Sequence, residues 1–195
     1  MKFFISDLHF GSDDTIMFDN RPFKNSKEFI NFSIKAWNKV AKAKDAIYVI
    51  GDFVDCHSKE DKNCLKYLSI VKKIRAKVIL ILGNNEKRLI KYFFNDDVDK
   101  FRDYCLNLGF QDVKSSDVIE INGTKFFLIH KPKEHNPNML NLFGHNHKAM
   151  GVYKSFGFNI GCDLNNYRLY GENDISNLLV KKNKYWDKDE NLKLI

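Results

Sequence analysis

An α/β sandwich built on two sheets is the fold class that the sequence predicts, and three observations predict it. The first half of the chain alternates short continuous apolar runs with amphipathic segments. The second half holds mostly strand-like runs separated by turn residues, which suits two sheets better than one doubly wound sheet. With only 3 prolines and 10 glycines, the punctuation between them is sparse and therefore informative.

Lys2 to Ser6 reads as a first strand. Asn25, with Glu28 three residues later, resembles a capping box, and Ile30, Ile34, Trp37 and Ala41 follow at helical spacing. Ala46 to Ile50 is a continuous apolar run that suits a buried strand. Cys64, Leu68, Val71 and Arg75 predict a second helix, and Val78 to Leu82 another buried strand. Val98, Phe101, Cys105 and Leu108 predict a third helix, stopped by Gly109. Val118 to Ile121 and Lys125 to Ile129 flank Asn122-Gly123, a strong two-residue hairpin signal. Asn141 to Phe143, Gly151 to Tyr153 and Phe158 to Ile160 are further short strands, and Ile175 to Val180 fits either a helix or a strand.

Composition narrows the class. The 195 residues read as one domain, 1–195, and 44% hydrophobic with 14% aromatic residues excludes a disordered chain. No apolar stretch approaches the ~20 residues of a membrane helix. The first apolar run, Phe3-Phe4-Ile5, is cut at once by Ser6-Asp7, so no signal peptide is read and a cytoplasmic protein is expected. Cys56, Cys64, Cys105 and Cys162 are far apart, without a C-x-x-C pair. Four reduced, packed thiols are expected. The net charge of +7 favours anionic partners, but the excess is spread along the chain.

Polar residues at the strand ends carry the functional signal. Asp7-Leu8-His9 follows the first strand, Gly51-Asp52-Phe53-Val54-Asp55 the next, and Gly83-Asn84-Asn85-Glu86 the third. His130 follows the hairpin, and Gly144-His145-Asn146-His147 the strand after it. Ligands gather at the carboxyl ends of strands in open α/β sheets, so five such turns can converge. The chain has 6 histidines, and four lie in these turns. Imidazoles with carboxylates and an amide oxygen suit Mn, Fe, Ni or Zn. Seven donors exceed one tetrahedral site and suit two ions about 3.5–4 Å apart sharing a carboxylate. No G-x-S-x-G and no P-loop are present.

In this order the motifs resemble the calcineurin-like metallophosphoesterase superfamily, whose pattern runs D-x-H, G-D-x-x-D, G-N-H-[DE], H, G-H-x-H. The resemblance covers residues 2 to about 180 and is nearest to its small prokaryotic and phage phosphoesterases. It implies a four-layer αββα sandwich of two mixed sheets. It implies that Asp7, His9 and His147 hold one divalent metal ion, that Asn84, His130 and His145 hold the other, and that Asp52 bridges both, manganese being favoured. Asp55 would orient a ligand. The implied activity is hydrolysis of a phosphodiester, of a nucleotide or another small molecule, by a metal-bridging hydroxide. The alternatives are a nuclease of the same chemistry, a phosphomonoesterase, and a scaffold that binds metal without turnover. Nucleic acid would be held weakly; the oligomeric state is not legible.

One position departs from the pattern. The family's histidine, which contacts phosphate and helps protonate the leaving group, is Asn85 here, and an amide supplies no proton. Three readings follow: a slow natural enzyme, one with another acid, or an engineered inactive variant. Arg21 is placed to clamp a phosphate. His135, with Lys131, is placed to line a substrate groove, and His57 and Lys59 follow the bridging turn. The stretch Lys181-Lys182-Asn183-Lys184 reads as a solvated strand or tail, with Tyr185 and Trp186 able to stack on bases.

Overall fold

The computed structural model describes residues 1–61, 63–149, 151–153 and 156–185, with backbone only for 183–185. Two five-stranded mixed sheets form it. The first sheet joins β1 (Lys2–Ile5), β2 (Ala46–Ile50), β3 (Lys77–Ile81) and β4 (Asp112–Lys114) in parallel, with β10 (Tyr170–Gly171) antiparallel at the edge beside β1. The second runs β5 (Asp117–Ile121), β6 (Thr124–Leu128), β7 (Leu140–Phe143), β9 (Gly157–Asn159), β8 (Val152–Tyr153).

The period of two in a strand sorts side chains between two cores. Phe3, Ile5, Ile47, Val49, Val78 and Leu80 face the helices, in one cluster with Phe29, Trp37, Leu89, Phe101 and Cys105. Phe4, Tyr48, Ile50 and Ile81 point the other way. They meet Ile119, Ile121, Phe126, Leu128, Leu142 and Phe158 of the second sheet. Burying one such side chain stabilises by about 1.5–3 kcal/mol, so the register of the central strands is fixed on both faces. The smaller cluster Ile129, Phe143, Tyr153 and Phe156 lies apart from both.

The helices show why some boundaries were legible. Helix α2 (Ser26–Val40) starts at Asn25, whose side chain accepts from the Glu28 N–H, and α5 (Val98–Leu108) ends at Gly109 in the left-handed conformation (φ 114°). The hairpin turn has Asn122 at φ 48° and Gly123 at φ 80°, the type I′ signature that Asn-Gly favours. The predicted helix from Cys64 to Arg75 is not continuous. α3 (Asn63–Leu68) gives way to a 3₁₀ turn, Ser69–Lys73, which ends before Arg75. β-branched Ile70 and Val71 lie in that turn, and their side chains are buried in the helical core. Ile175 to Val180 belongs to α6 (Glu172–Tyr185), which also takes in Lys181 to Lys184. Those lysines are therefore helical, not strand or tail. Trp186 lies outside the described residues. No helix among the described residues is long and apolar enough to cross a membrane. All four cysteines are buried and free.

Four elements lie outside the sequence expectations. Helix α1 (Asp13–Phe18) is capped by Ser12. Helix α4 (Asn84–Phe93) starts inside the third polar turn. β4 and β10 are edge strands of three and two residues.

Candidate metal centre

β1, β2 and β3 run parallel in register, so Ile5, Ile50 and Ile81 end on one edge and the polar turns leave it together. The turns are cross-linked: Asp7 donates its N–H to the Gly51 carbonyl (3.2 Å) and His9 to that of Asp52 (2.9 Å). β6 and β7, also parallel, bring His130 and His145 to the same place from the second sheet. The His145 N–H donates to the Asp7 carboxylate (2.9 and 3.0 Å), tying the two sheets together. Close approach demands glycine here. A Cβ on Gly51 (φ +81°) would collide with the His130 ring, and one on Gly144 with Ser6 and Asp7.

The seven donors form one chain of neighbours. Asn84 Oδ1 lies 2.9 Å from His145 Nδ1 and 3.1 Å from His130 Nε2. Asp52 Oδ2 lies 3.5 Å from His130 Nε2 and 3.6 Å from His9 Nε2. His9 Nε2 faces His147 Nε2 at 3.2 Å, and His147 Nε2 is 4.0 Å from Asp7 Oδ1. Asp7 also lies within 4.8 Å of both Asp52 and His130. Two nitrogens each about 2.1 Å from one tetrahedral ion stand roughly 3.4 Å apart. The separations between these donors suit shared cations.

The outer atoms agree. His147 Nδ1 is 2.7 Å from Asp19 Oδ2, and His130 Nδ1 is 2.9 Å from the Ile50 carbonyl. Both partners accept only, so Nδ1 carries the hydrogen and Nε2 turns a lone pair inward. Behind His9, Nδ1 stands 3.6 Å from the Asp55 carboxylate. Metal-binding histidines are oriented in this way. The second Asp52 oxygen, Oδ1, accepts from the Asn85 N–H (2.9 Å).

Charge tells the same story. Burial lowers the His130 pKa, but Asp52 more than offsets it and lifts it to about 9. Burial likewise opposes the charge on His9, and Asp55, Asp52 and Asp7 together raise its pKa. The Asp52 carboxyl is pushed well below its usual range, because His130 and His9 outweigh its burial. The carboxylates demand positive charge at this spot, which a bound metal ion would supply. Five of these residues, Asp7, His9, Asp52, His145 and His147, hold φ between 39° and 74°. Left-handed backbone at non-glycine residues clusters where a site is imposed on the fold.

A family model described as calcineurin-like phosphoesterase matches residues 3–185. The chain belongs to the calcineurin-like phosphoesterase family. An uncharacterized protein of Methanocaldococcus jannaschii is 33% identical over 130 residues; the match takes in 67% of this chain and spans 58% of the relative's length. The crystal structure of a protein of unknown function from Aquifex aeolicus is similar in fold, with a TM-score of 0.66 at 24% identity, covering 91% of this chain and 98% of that one. A nuclease, MPE, of Pseudomonas putida has a TM-score of 0.50 at 18% identity, covering 75% and 61%. The family is metal-dependent, and the Asp and His groups here are able to hold metal.

Other expected phosphoesterase positions fare differently. Arg21 does not reach out as a phosphate clamp. Its Nε and Nη2 donate to the two Asp163 oxygens (3.0 and 2.8 Å), and Nη1 and Nη2 to the Leu8 and Asp7 carbonyls (2.8 Å each). It is buried and pins the first polar turn from behind. His135 is not brought to the centre either. Its Nδ1 is bonded to the Pro132 carbonyl (3.0 Å) and its ring packs on Phe156. Asn85 is 2% exposed, and its Oδ1 accepts from the Cys56 N–H (3.1 Å) and from Arg88 Nη1 (3.2 Å). Its amide braces the loop after β2 and is not free to meet a phosphate.

Sequence reasoning missed two carboxylates. Asp19 holds His147, but no spacing rule marks it. Glu86 is fully buried and accepts the N–H groups of Asp52, Phe53 and Gly83 (2.8, 2.9 and 2.8 Å). Burial and the nearby Asp52 raise its pKa to about 7. Its place as the acidic end of the third turn, three residues after Gly83, was the available signal.

Proposed function

We propose that this phosphoesterase is a dinuclear-metal phosphodiesterase. One observation carries the reading. Asp52 Oδ2 sits almost equally far from His9 Nε2 and His130 Nε2, at 3.6 and 3.5 Å, with a donor set on each side. Asp7, His9 and His147 would hold one ion, and Asn84, His130 and His145 the other, with Asp52 shared. Manganese is the favoured ion, ahead of Fe, Ni or Zn. Such ions supply Lewis acidity to a water and to phosphoryl oxygens. The chain's own part is orientation. Asp55 and Asp19 turn His9 and His147, the Ile50 carbonyl turns His130, and the Asn85 N–H turns Asp52.

The substrate is proposed to be a small phosphodiester, a nucleotide or similar molecule. Beside the centre, with Asp55 in its wall, lies a cleft of about 320 Å³ lined also by Asp13, Asp14 and Asp61. None of the seven donors lines it, and its acidic lining repels a polyanionic strand. The net charge of +7 favours a second reading, a nuclease. Binding to duplex DNA that persists at high salt supports that second reading over the first. The four free thiols suit a cytosolic setting.

Metal analysis after manganese loading tests the proposal. Two equivalents per chain are expected, with turnover of bis-p-nitrophenyl phosphate. Asp52→Ala should lose activity and at least one ion. One equivalent in the wild type, still held by Asp52→Ala, overturns the dinuclear reading.

A further inference from the structure

The acidic cleft stands apart from the seven donors, and Asp13, Asp14, Asp55 and Asp61 line it. Among the described residues, no lysine or arginine forms an ion pair with any of these four carboxylates. Like charges crowded without a cation repel one another. Exposed acids alone mark no site, and the deciding observation is Asp55. Its side chain is 7% exposed, and its Oδ2 is buried with no hydrogen-bond partner among the described residues. A buried polar atom left unsatisfied costs about 1–3 kcal/mol, and more when it is charged. His57 lines the same cleft, and its Nε2 lies 2.8 Å from that oxygen without the alignment of a hydrogen bond. Two ligand atoms of one octahedral ion, each about 2.1 Å from it, stand roughly 3.0 Å apart. The His57 side chain is 65% exposed, so the pair is open to solvent on the side of the cleft.

We propose that this cleft is a separate binding site for one further divalent cation, held by Asp55 Oδ2 and His57 Nε2 and completed by water. An imidazole paired with a carboxylate selects a first-row ion such as Mn²⁺ over magnesium or calcium. Asp13, Asp14 and Asp61 attract the ion and accept hydrogen bonds from its water. Among the described residues, no third carboxylate or imidazole converges on the pair. The ion therefore keeps most of its hydration, binds more weakly than ions of the centre and exchanges freely. The cleft, at about 320 Å³, has room for that water shell. The other Asp55 oxygen, Oδ1, lies 3.6 Å from His9 Nδ1. An ion in the cleft thus draws on the same carboxylate that turns His9.

The test titrates the manganese-loaded protein with more Mn²⁺ and counts the free ion by electron paramagnetic resonance. Beyond its tight ions, the wild type should take up one weaker equivalent per chain. His57→Ala should remove that equivalent. Asp61→Asn keeps an acceptor for the Asn63 N–H (3.1 Å) but removes a charge. It should weaken the same equivalent about 10–100-fold. Both variants should retain the tight ions, which also shows that they fold. No weak equivalent in the wild type, or one that both variants keep unchanged, overturns the site and leaves His57 and Asp55 a bare ion pair. Loss of the tight ions from His57→Ala overturns it as well, because the cleft would then belong to the centre. Only the weak class bears on this site, whereas the number of tight ions decides the dinuclear reading, so failure of the one is read apart from failure of the other.

Discussion

The two sides of the donor cluster are built differently. On the side of His9 and His147 the oxygen donor is the carboxylate of Asp7, and carboxylates stand behind both rings: Asp55 behind His9, Asp19 behind His147. On the side of His130 and His145 the oxygen donor is the neutral amide of Asn84, and the ring of His130 is backed by the carbonyl of Ile50. A carboxylate behind an imidazole makes its inner nitrogen a stronger donor than a carbonyl does. The anionic side should hold its ion more tightly, and the amide side should exchange. The lesson is that a central aspartate between two donor sets does not make the two sides equivalent.

The largest expected effect comes from Arg21, which belongs wholly to the anionic side. Its partner Asp163 is completely buried as a side chain, so Arg21→Ala strands a carboxylate. Breaking such a pair costs about 3–5 kcal/mol. The same change frees the Asp7 and Leu8 carbonyls. Chemical denaturation should show that loss, and the tighter ion should weaken with it. A variant as stable as the wild type, with both ions unchanged, would show that the anionic side does not depend on this anchor.

Chelation comes next. A ligand bound only by the native state at about 100 times its Kd stabilises by about 2.7 kcal/mol. For a chain of this size that is roughly 5–11 °C in melting temperature. Stepwise EDTA addition, followed by calorimetry and metal analysis, should release one ion before the other. Release of both together at one chelator concentration breaks the comparison.

The smallest effect sharpens it. Asp19→Asn keeps a hydrogen-bond acceptor on His147 but removes the charge. Affinity for the tighter ion should fall about 10–100-fold, and the weaker one should be little changed. Isothermal titration with Mn²⁺ reads both. Equal weakening of the two would mean that Asp19 acts on the whole cluster and not on His147.

Much of this architecture is legible in the sequence, for physical reasons. Apolar runs such as Ala46–Ile50 are buried on both faces, and a capping residue such as Asn25 announces its helix. The convergence of Asp7, Asp52, Asn84, His130 and His145 followed from strand ends alone. What stayed hidden was set by tertiary context. Helix α4 begins at Asn84, so its first turn reads as a polar loop. β4 and β10 are too short for a period to emerge. Arg21 looks like a phosphate ligand in sequence, because nothing local reveals Asp163, 142 residues away, as its partner. Asp19 serves His147 across 128 residues.

The left-handed backbone at Asp7, His9, Asp52, His145 and His147 has a consequence for sequence change. These positions are selected twice: once by what the side chain must bind, and once by what the main chain tolerates. Aspartate, asparagine, histidine and glycine enter that conformation at modest cost, whereas valine or isoleucine is strongly disfavoured there. A lineage that gave up metal binding would not thereby gain free choice at these sites. Its drift should run to asparagine or glycine, leaving a fossil of the centre in the turns long after the chemistry had gone.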